Sequence, residues 1–239
     1  MKKQIISIGG GGFSKYGAYS DDNIEIEKYF LKQTGKECPS ICFLPTASAD
    51  DAKYIVHFYT EFNKLACKPT HLSLFSPLTR DIESFLLEKD AIYIGGGSTK
   101  NMLALFKDWG IDKTLKKAYE KGVVLGGISA GMNCWYEECI TDSFFGELSV
   151  LKCLGFLKGS ACPHYDKEEK RRPAYHSFIK SKRITPGIAV DDNTAVHYID
   201  GNISKVITAK ESTAYHVYLD KNNIVEKRIE ATKLHSSIE

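Results

Sequence analysis

Gly122-Val-Val-Leu-Gly-Gly-Ile-Ser129-Ala-Gly-Met-Asn-Cys-Trp135 is the stretch that decides how this 239-residue chain is read. Val123 to Ile128 is a short apolar, partly β-branched run, which reads as a fully buried strand. It stops at Gly-Ile-Ser-Ala-Gly before residues able to start a helix, so Ser129 falls at a strand-to-helix corner. Gly127 and Gly131 permit a sharp turn that lifts a hydroxyl clear of the sheet. The N–H of Ala130 can then face a developing oxyanion. An ordinary tight β–α connection would show the same small residues, so the corner needs support from elsewhere in the chain.

Working outward, strands and helices alternate. Gln4 to Ile8, Ser40 to Leu44, His71 to Phe75 and Ala91 to Ile94 read as further strands. Asp22 to Thr34 (capped by Asp22), Tyr54 to Leu65, Asp81 to Leu87, Lys100 to Trp109 (capped by Ser98 or Thr99) and Lys113 to Lys121 read as helices. The alternation predicts an α/β fold with a mostly parallel sheet covered by helices on both faces. Leu154 to Leu157 precedes a strand-like end at Cys162-Pro-His-Tyr-Asp166, and a charged run from Asp166 to Arg172 is stopped by Pro173. Tyr175 to Ser181 reads as a helix. The tail is β-rich: Gly187 to Val190, Ala195 to Ile199, Ser204 to Thr208 and Ala214 to Leu219 read as antiparallel strands joined by tight turns, Asp191-Asp-Asn among them. They are expected at the edge of one domain spanning 1–239.

Two glycine-rich loops end strands. Gly9 to Gly12 lacks the Gly-x-Gly-x-x-Gly spacing of a dinucleotide loop and reads either as a β–α turn or as a loop whose backbone approaches another group closely. Gly95-Gly-Gly-Ser-Thr99 sits between a strand and a helix N-terminus, where backbone N–H groups can complete an oxyanion hole with Ala130; Gly96 and Gly97 are the candidates.

Composition narrows the classes. With 32 basic and 30 acidic residues the net charge is +2, which indicates no nucleic-acid partner. Seven cysteines, an odd number with no Cys-x-x-Cys pair, support neither a disulfide framework nor a zinc knuckle. The N-terminus has too few apolar residues for a signal-peptide core, and no apolar run approaches the ~20 residues that span a bilayer. A cytoplasmic protein without a membrane partner, monomeric or homodimeric, is expected.

A serine at such a corner needs a base, and the base needs a third group to fix its tautomer. His57, His71, His176, His197, His216 and His235 fall in expected helices, strands or the tail. His164 follows a strand end and a proline on the side where strand ends gather, which makes it the candidate base. Between Ser129 and His164 the acids are Glu137, Glu138, Asp142 and Glu147. Glu137 and Glu138 are expected on the helix after the corner, pointing to solvent. Asp142, in a Thr-Asp-Ser loop, can fold back toward the base, and Glu147 is its longer-armed rival.

Together these pieces resemble the dipeptidase E and cyanophycinase family of serine peptidases, whose fold is similar to the class I glutamine amidotransferase domain. The resemblance runs through Gly9-Gly-Gly-Gly12, Phe43-Leu-Pro-Thr-Ala47, Ile94-Gly-Gly-Gly-Ser-Thr99, Gly127-Ile-Ser-Ala-Gly131, Pro163-His164 and Gly187-Ile-Ala-Val-Asp-Asp-Asn-Thr-Ala195. It implies hydrolysis of short peptides through an acyl-enzyme, with no metal or organic cofactor. Ser129 matches the nucleophile and His164 the base. Asp142, 22 residues before His164, matches the dipeptidase E acid, and Glu147, 18 residues after Ser129, the cyanophycinase acid; Asp142 is preferred. The implied oxyanion hole is Gly96 or Gly97 with Ala130. An N-terminal aspartate in the substrate would need a cation, and Arg171 and Arg172, with Tyr165 beside His164, occupy that region. The alternative is that Asp166, Glu168 and Glu169 select a basic residue. A cyanophycinase-like hydrolase of β-aspartyl-arginine peptides and a non-catalytic binding protein on the same fold are the rival functions.

Overall fold

A computed structural model of the chain describes residues 2–14 and 24–234. The expected cap Asp22 and His235 lie outside them. In chain order the regular elements begin β1 (Gln4–Ile8), α1 (Glu25–Lys32), β2 (Ser40–Leu44), α2 (Ala52–Phe62), β3 (Lys68–His71), α3 (Ile82–Leu87), β4 (Ala91–Ile94), α4 (Thr99–Asp108), α5 (Ile111–Glu120), β5 (Val124–Ile128) and α6 (Ala130–Asn133). They continue β6 (Tyr136–Thr141), β7 (Ser149–Lys152), β8 (Leu157–Cys162), α7 (Arg171–Lys180), β9 (Gly187–Val190), β10 (Thr194–Ile199), β11 (Asn202–Thr208), β12 (Ala214–Asp220), β13 (Asn223–Ile229) and β14 (Ala231–Lys233).

Eight strands form the main sheet in the order β14-β11-β10-β1-β5-β4-β2-β3. From β1 through β5, β4, β2 and β3 every pairing is parallel, as the β–α alternation requires, while β10 and β11 extend the sheet in antiparallel fashion. Side chains alternate between two packed faces. Ile6, Phe43 and Tyr93 meet Phe30 of α1 and Tyr54, Phe58 and Phe62 of α2, with Phe13 at the centre of the aromatic group. Ile5, Leu44, Ile92 and Ile94 meet Met102 and Phe106 of α4 and Leu115 of α5 on the other face.

Helix starts follow local chemistry. Asp51, Asp81 and Ser98 each accept a hydrogen bond from the backbone N–H three residues on, so Ser98 rather than Thr99 is the cap of α4. Pro173 lies in the first turn of α7, where its missing N–H leaves no intrahelical bond unmade. The third strand lies earlier than the expected His71 to Phe75, and Phe75 is exposed.

A second sheet, in the order β13-β12-β9-β8-β6-β7, packs on the α4/α5 side of the first through Trp135, Tyr136, Leu157, Ile188 and Val190. Its other face is covered by Tyr175, Phe178 and Ile179 of α7. It corrects two expectations. The helix after Ser129 lasts four residues, and Glu137 and Glu138 then lie on strand β6. Pairing of Tyr136–Thr141 with β7 and β8 outweighs the helix preference of Glu137 and Glu138 there. The tail strands are not one edge: β9 and β12 pair in the second sheet, β10 and β11 in the first. Asp191-Asp-Asn is therefore a crossing between sheets rather than a hairpin turn. Among the described residues no helix is long and apolar enough to cross a membrane.

Candidate active site

Ser129 stands at the end of β5 with φ 56° and ψ −108°. Such a conformation costs a non-glycine residue about 1–3 kcal/mol and persists where neighbours enforce it. Its N–H donates to the carbonyl of Ile8 at 3.1 Å, which ties the corner to β1. The flanking glycines answer to a close approach. A Cβ on Gly127 would lie 2.6 Å from the Ile94 carbonyl oxygen, and one on Gly131 2.1 Å from the same atom.

His164 follows β8 and Pro163, also in the left-handed region with φ 54°. Its carbonyl accepts N–H bonds from Lys167 and Glu168, so the turn is closed on itself. The imidazole reaches both ways: Nε2 lies 2.9 Å from Ser129 Oγ, and Nδ1 lies 2.7 Å from Asp192 Oδ1. The pattern fixes the tautomer, since a carboxylate can only accept: Nδ1–H donates to Asp192, and Nε2 is left to take the serine proton. The Asp192 side chain is 1 % exposed and the His164 side chain 17 %, which leaves the ring edge open to a ligand.

The third group is thus Asp192, and this corrects the expectation of Asp142 or Glu147. β6 ends at Thr141, and the chain leaves the sheet into a solvent-facing loop. The Asp142 side chain is 68 % exposed and lies 3.5 Å from Arg171, while Glu147 is exposed further along that loop. The signal for Asp192 was two adjacent acids at the carboxyl end of a buried strand, a place where α/β folds gather functional groups.

The loop Gly9 to Gly12 forms the seat of this pair, the close backbone approach being the one of its two expected readings that holds. A Cβ on Gly10 would fall 2.0 Å from Asp192 Oδ1 and 2.5 Å from His164 Nδ1. The loop is held by Gly9 N–H on Thr194 O at 3.0 Å and by Asn193 N–H on Gly10 O at 2.7 Å, and Phe13 anchors its far end in the aromatic group.

The second glycine loop lies against Ser129, with the Gly96 Cβ position 3.3 Å from Ser129 Cβ. Of the expected oxyanion donors, Gly96 already points its N–H at Tyr54 Oη, at 3.4 Å. The N–H groups of Gly97 and Ala130 have no acceptor among the described residues. Gly97 has φ +134° and passes so close to the Ala47 carbonyl that only glycine fits.

The expected substrate-binding residues divide. Arg171 is 3 % exposed and spent on Glu168 Oε2 (2.6 Å) and the Ile140 carbonyl (3.2 Å), so it holds α7 in place and is not free for a ligand. The Tyr165 phenol is also withdrawn: it is 3 % exposed and bonded to Glu226 and His176. Arg172 keeps a side chain 44 % exposed, over the Tyr165 ring at 4.5 Å and 3.2 Å from Glu226. Of the alternative acidic set, Glu168 is taken by Arg171, and Asp166 accepts the Asp192 N–H. Behind the pair, burial pushes the Asp191 carboxyl up from 3.8 to about 6, helped by the charges of Asp166 and Asp192 and opposed by the Thr213 N–H and Arg172.

Comparison with known proteins places the chain among peptidases of one family. The profile of peptidase family S51 matches residues 5–206. An uncharacterized peptidase of Bacillus subtilis (strain 168), YgaJ, is 49 % identical over 225 residues, covering 94 % of this chain and 96 % of that protein. Among solved structures, a peptidase from an acI-B1 Actinobacterium superposes with TM-score 0.69 at 14 % identity, covering 95 % of this chain and 94 % of that one. A candidate peptidase E protein from Listeria monocytogenes EGD-e gives 0.61 at 16 % identity, over 96 % and 100 %. At such identities the two structures speak for the fold alone.

Proposed function

The chain belongs to peptidase family S51 and is a serine-type peptidase, and we propose that it hydrolyses short peptides through an acyl-enzyme on Ser129. The observation that carries this reading is the unbroken relay Ser129 Oγ, His164 Nε2, His164 Nδ1, Asp192 Oδ1, with links of 2.9 and 2.7 Å. His164 Nε2 takes the hydroxyl proton as Oγ attacks the scissile carbonyl. Asp192 steadies the imidazolium that results. The tetrahedral oxyanion is received by the N–H groups of Gly97 and Ala130. The imidazolium then returns its proton to the leaving amine, and water repeats the cycle on the ester.

For substrate choice we assign Arg172 to the side-chain carboxylate of an N-terminal aspartate, because it alone of the three expected contacts keeps an exposed polar head. Glu226 already shares that guanidinium, so the preference for Asp-X over Ala-X dipeptides is expected to be about tenfold or less, the size of one partly solvated ion pair.

The test is a dipeptide panel varied at the first residue, run on the parent protein, Ser129→Ala and Arg172→Ala. Ser129→Ala should lower kcat about 10⁴-fold or more while the fold is kept. Unchanged turnover in that variant, or a parent serine inert to a fluorophosphonate, would sink the proposal. Arg172→Ala should raise KM for Asp-X substrates alone.

A further inference from the structure

Three successive N–H groups hold the segment that carries Asp192. Asp191 N–H donates to the Thr213 carbonyl at 3.0 Å, and Asn193 N–H to the Gly10 carbonyl at 2.7 Å. The middle one, of Asp192 itself, donates to a side chain: Asp166 Oδ1, at 2.8 Å. Asp166 stands two residues after His164. A ring is thereby closed, running from the imidazole to the Asp192 carboxylate, through the Asp192 N–H to Asp166, and back along two residues of backbone to His164.

We propose that Asp166 is a positioning residue, one that holds Asp192 against His164 by accepting its backbone N–H. The proposal rests on the relay read above and adds a member that does not touch substrate. Three observations carry it. Asp192 is almost wholly buried, so its N–H cannot turn to water if the acceptor is lost. His164 in the ring and Asn193, the residue after Asp192, both lie in the left-handed region, with φ 54° and 61°, a conformation that holds where bonds enforce it. Asp166 also keeps its other oxygen toward solvent and Lys167, at 3.7 Å, so one carboxylate oxygen is devoted to the Asp192 N–H. A misplacement of about 1 Å in a reacting constellation costs about 100-fold in rate.

The experiment compares Asp166→Ala with Asp166→Asn in the full chain. Asparagine keeps a carbonyl oxygen where Oδ1 sits and removes only the charge; alanine removes the acceptor. Two readouts are taken: kcat and KM on a cleaved dipeptide, and the low-field proton resonance of the His164 Nδ1–H bond, recorded without substrate. Asp166→Ala should lower kcat about 10- to 100-fold with KM within about threefold, and should shift or broaden that resonance. Asp166→Asn should restore kcat to within about threefold and keep the resonance. An alanine variant with parental kcat and resonance would overturn the proposal. So would a folded asparagine variant whose kcat falls about 10-fold or more below the parent, an outcome that stays readable even where the alanine protein does not fold. A parent without the resonance, whose turnover also survives Ser129→Ala, would instead strike the relay itself and this proposal with it.

Discussion

The two sheets contribute unlike things to one site. The eight-stranded sheet supplies the hydroxyl and the glycine N–H groups, each at the end of a buried parallel strand and each announced by residues within a few positions of it. The six-stranded sheet supplies the imidazole at the end of β8 and the carboxylate at the end of β9. Neither is marked by any local motif beyond a strand end. The hydroxyl and the glycine N–H groups are thus set by local chain geometry, and the carboxylate by the crossing of the chain from β9 in one sheet to β10 beside β1 in the other.

The sharpest way to break the comparison is at the carboxylates. Asp192→Asn should lower kcat about 10⁴-fold by favouring the wrong imidazole tautomer. Asp142→Asn and Glu147→Gln should stay within about twofold, since both side chains are exposed on a loop. Equal losses at Asp142 and Asp192, measured on one dipeptide, would restore the order read from sequence.

A next step is the seat between the sheets. Gly10→Ala puts a methyl where the Asp192 and His164 atoms lie, at 2.0 and 2.5 Å. Turnover should fall about 100-fold or more. The same change at Gly35, where a Cβ meets nothing within 4 Å, should leave kcat unaltered. Steady-state rates and thermal midpoints of the two variants decide the point.

The smallest effect separates the sheets by pH. His197, on β10, is held by Tyr29 and Gln4, and burial, with Lys205, lowers it from 6.5 to about 4. The folded form then binds fewer protons than the unfolded one, so its contribution to stability is complete above pH 6.5 and lost as pH falls toward 4. Asp191, at the end of β9, is raised to about 6, so the folded form holds its proton more tightly. Its contribution is present below about pH 4 and lost as pH rises through 6. The two oppose each other in one window. Relative to the parent, His197→Gln should make stability fall more steeply from pH 4 to 6, and Asp191→Asn should make it climb. Asp191→Asn should also raise the midpoint at pH 7 by roughly 2–4 °C, the size of about 1 kcal/mol in a chain of this length. Urea or thermal midpoints at four pH values measure both.

What could be read in the sequence follows that division only in part. Strands β1, β2 and β4 fall at the expected residues, because a buried parallel strand is an apolar run with a glycine or proline stop. Ser129 and His164 could be read as well, each from an abrupt change of backbone after a strand. Asp192 could not, because Asp-Asp-Asn after a strand is also good turn chemistry, and only the assignment of β9 and β10 to different sheets shows that the chain crosses there. The helix expected after Ser129 fails for a similar reason. Trp135 to Thr141 is neutral in propensity, and its strand exists because β7 and β8 lie alongside.

The position of β10 beside β1 has a further consequence, for the time at which the protein is made. The N-terminal half, with its serine and both glycine loops, is synthesised before residues 164–199 are joined to it. Until β10 closes over β1 and draws Asp192 onto Gly10, the emerging chain holds a hydroxyl and an imidazole without the carboxylate that orients them.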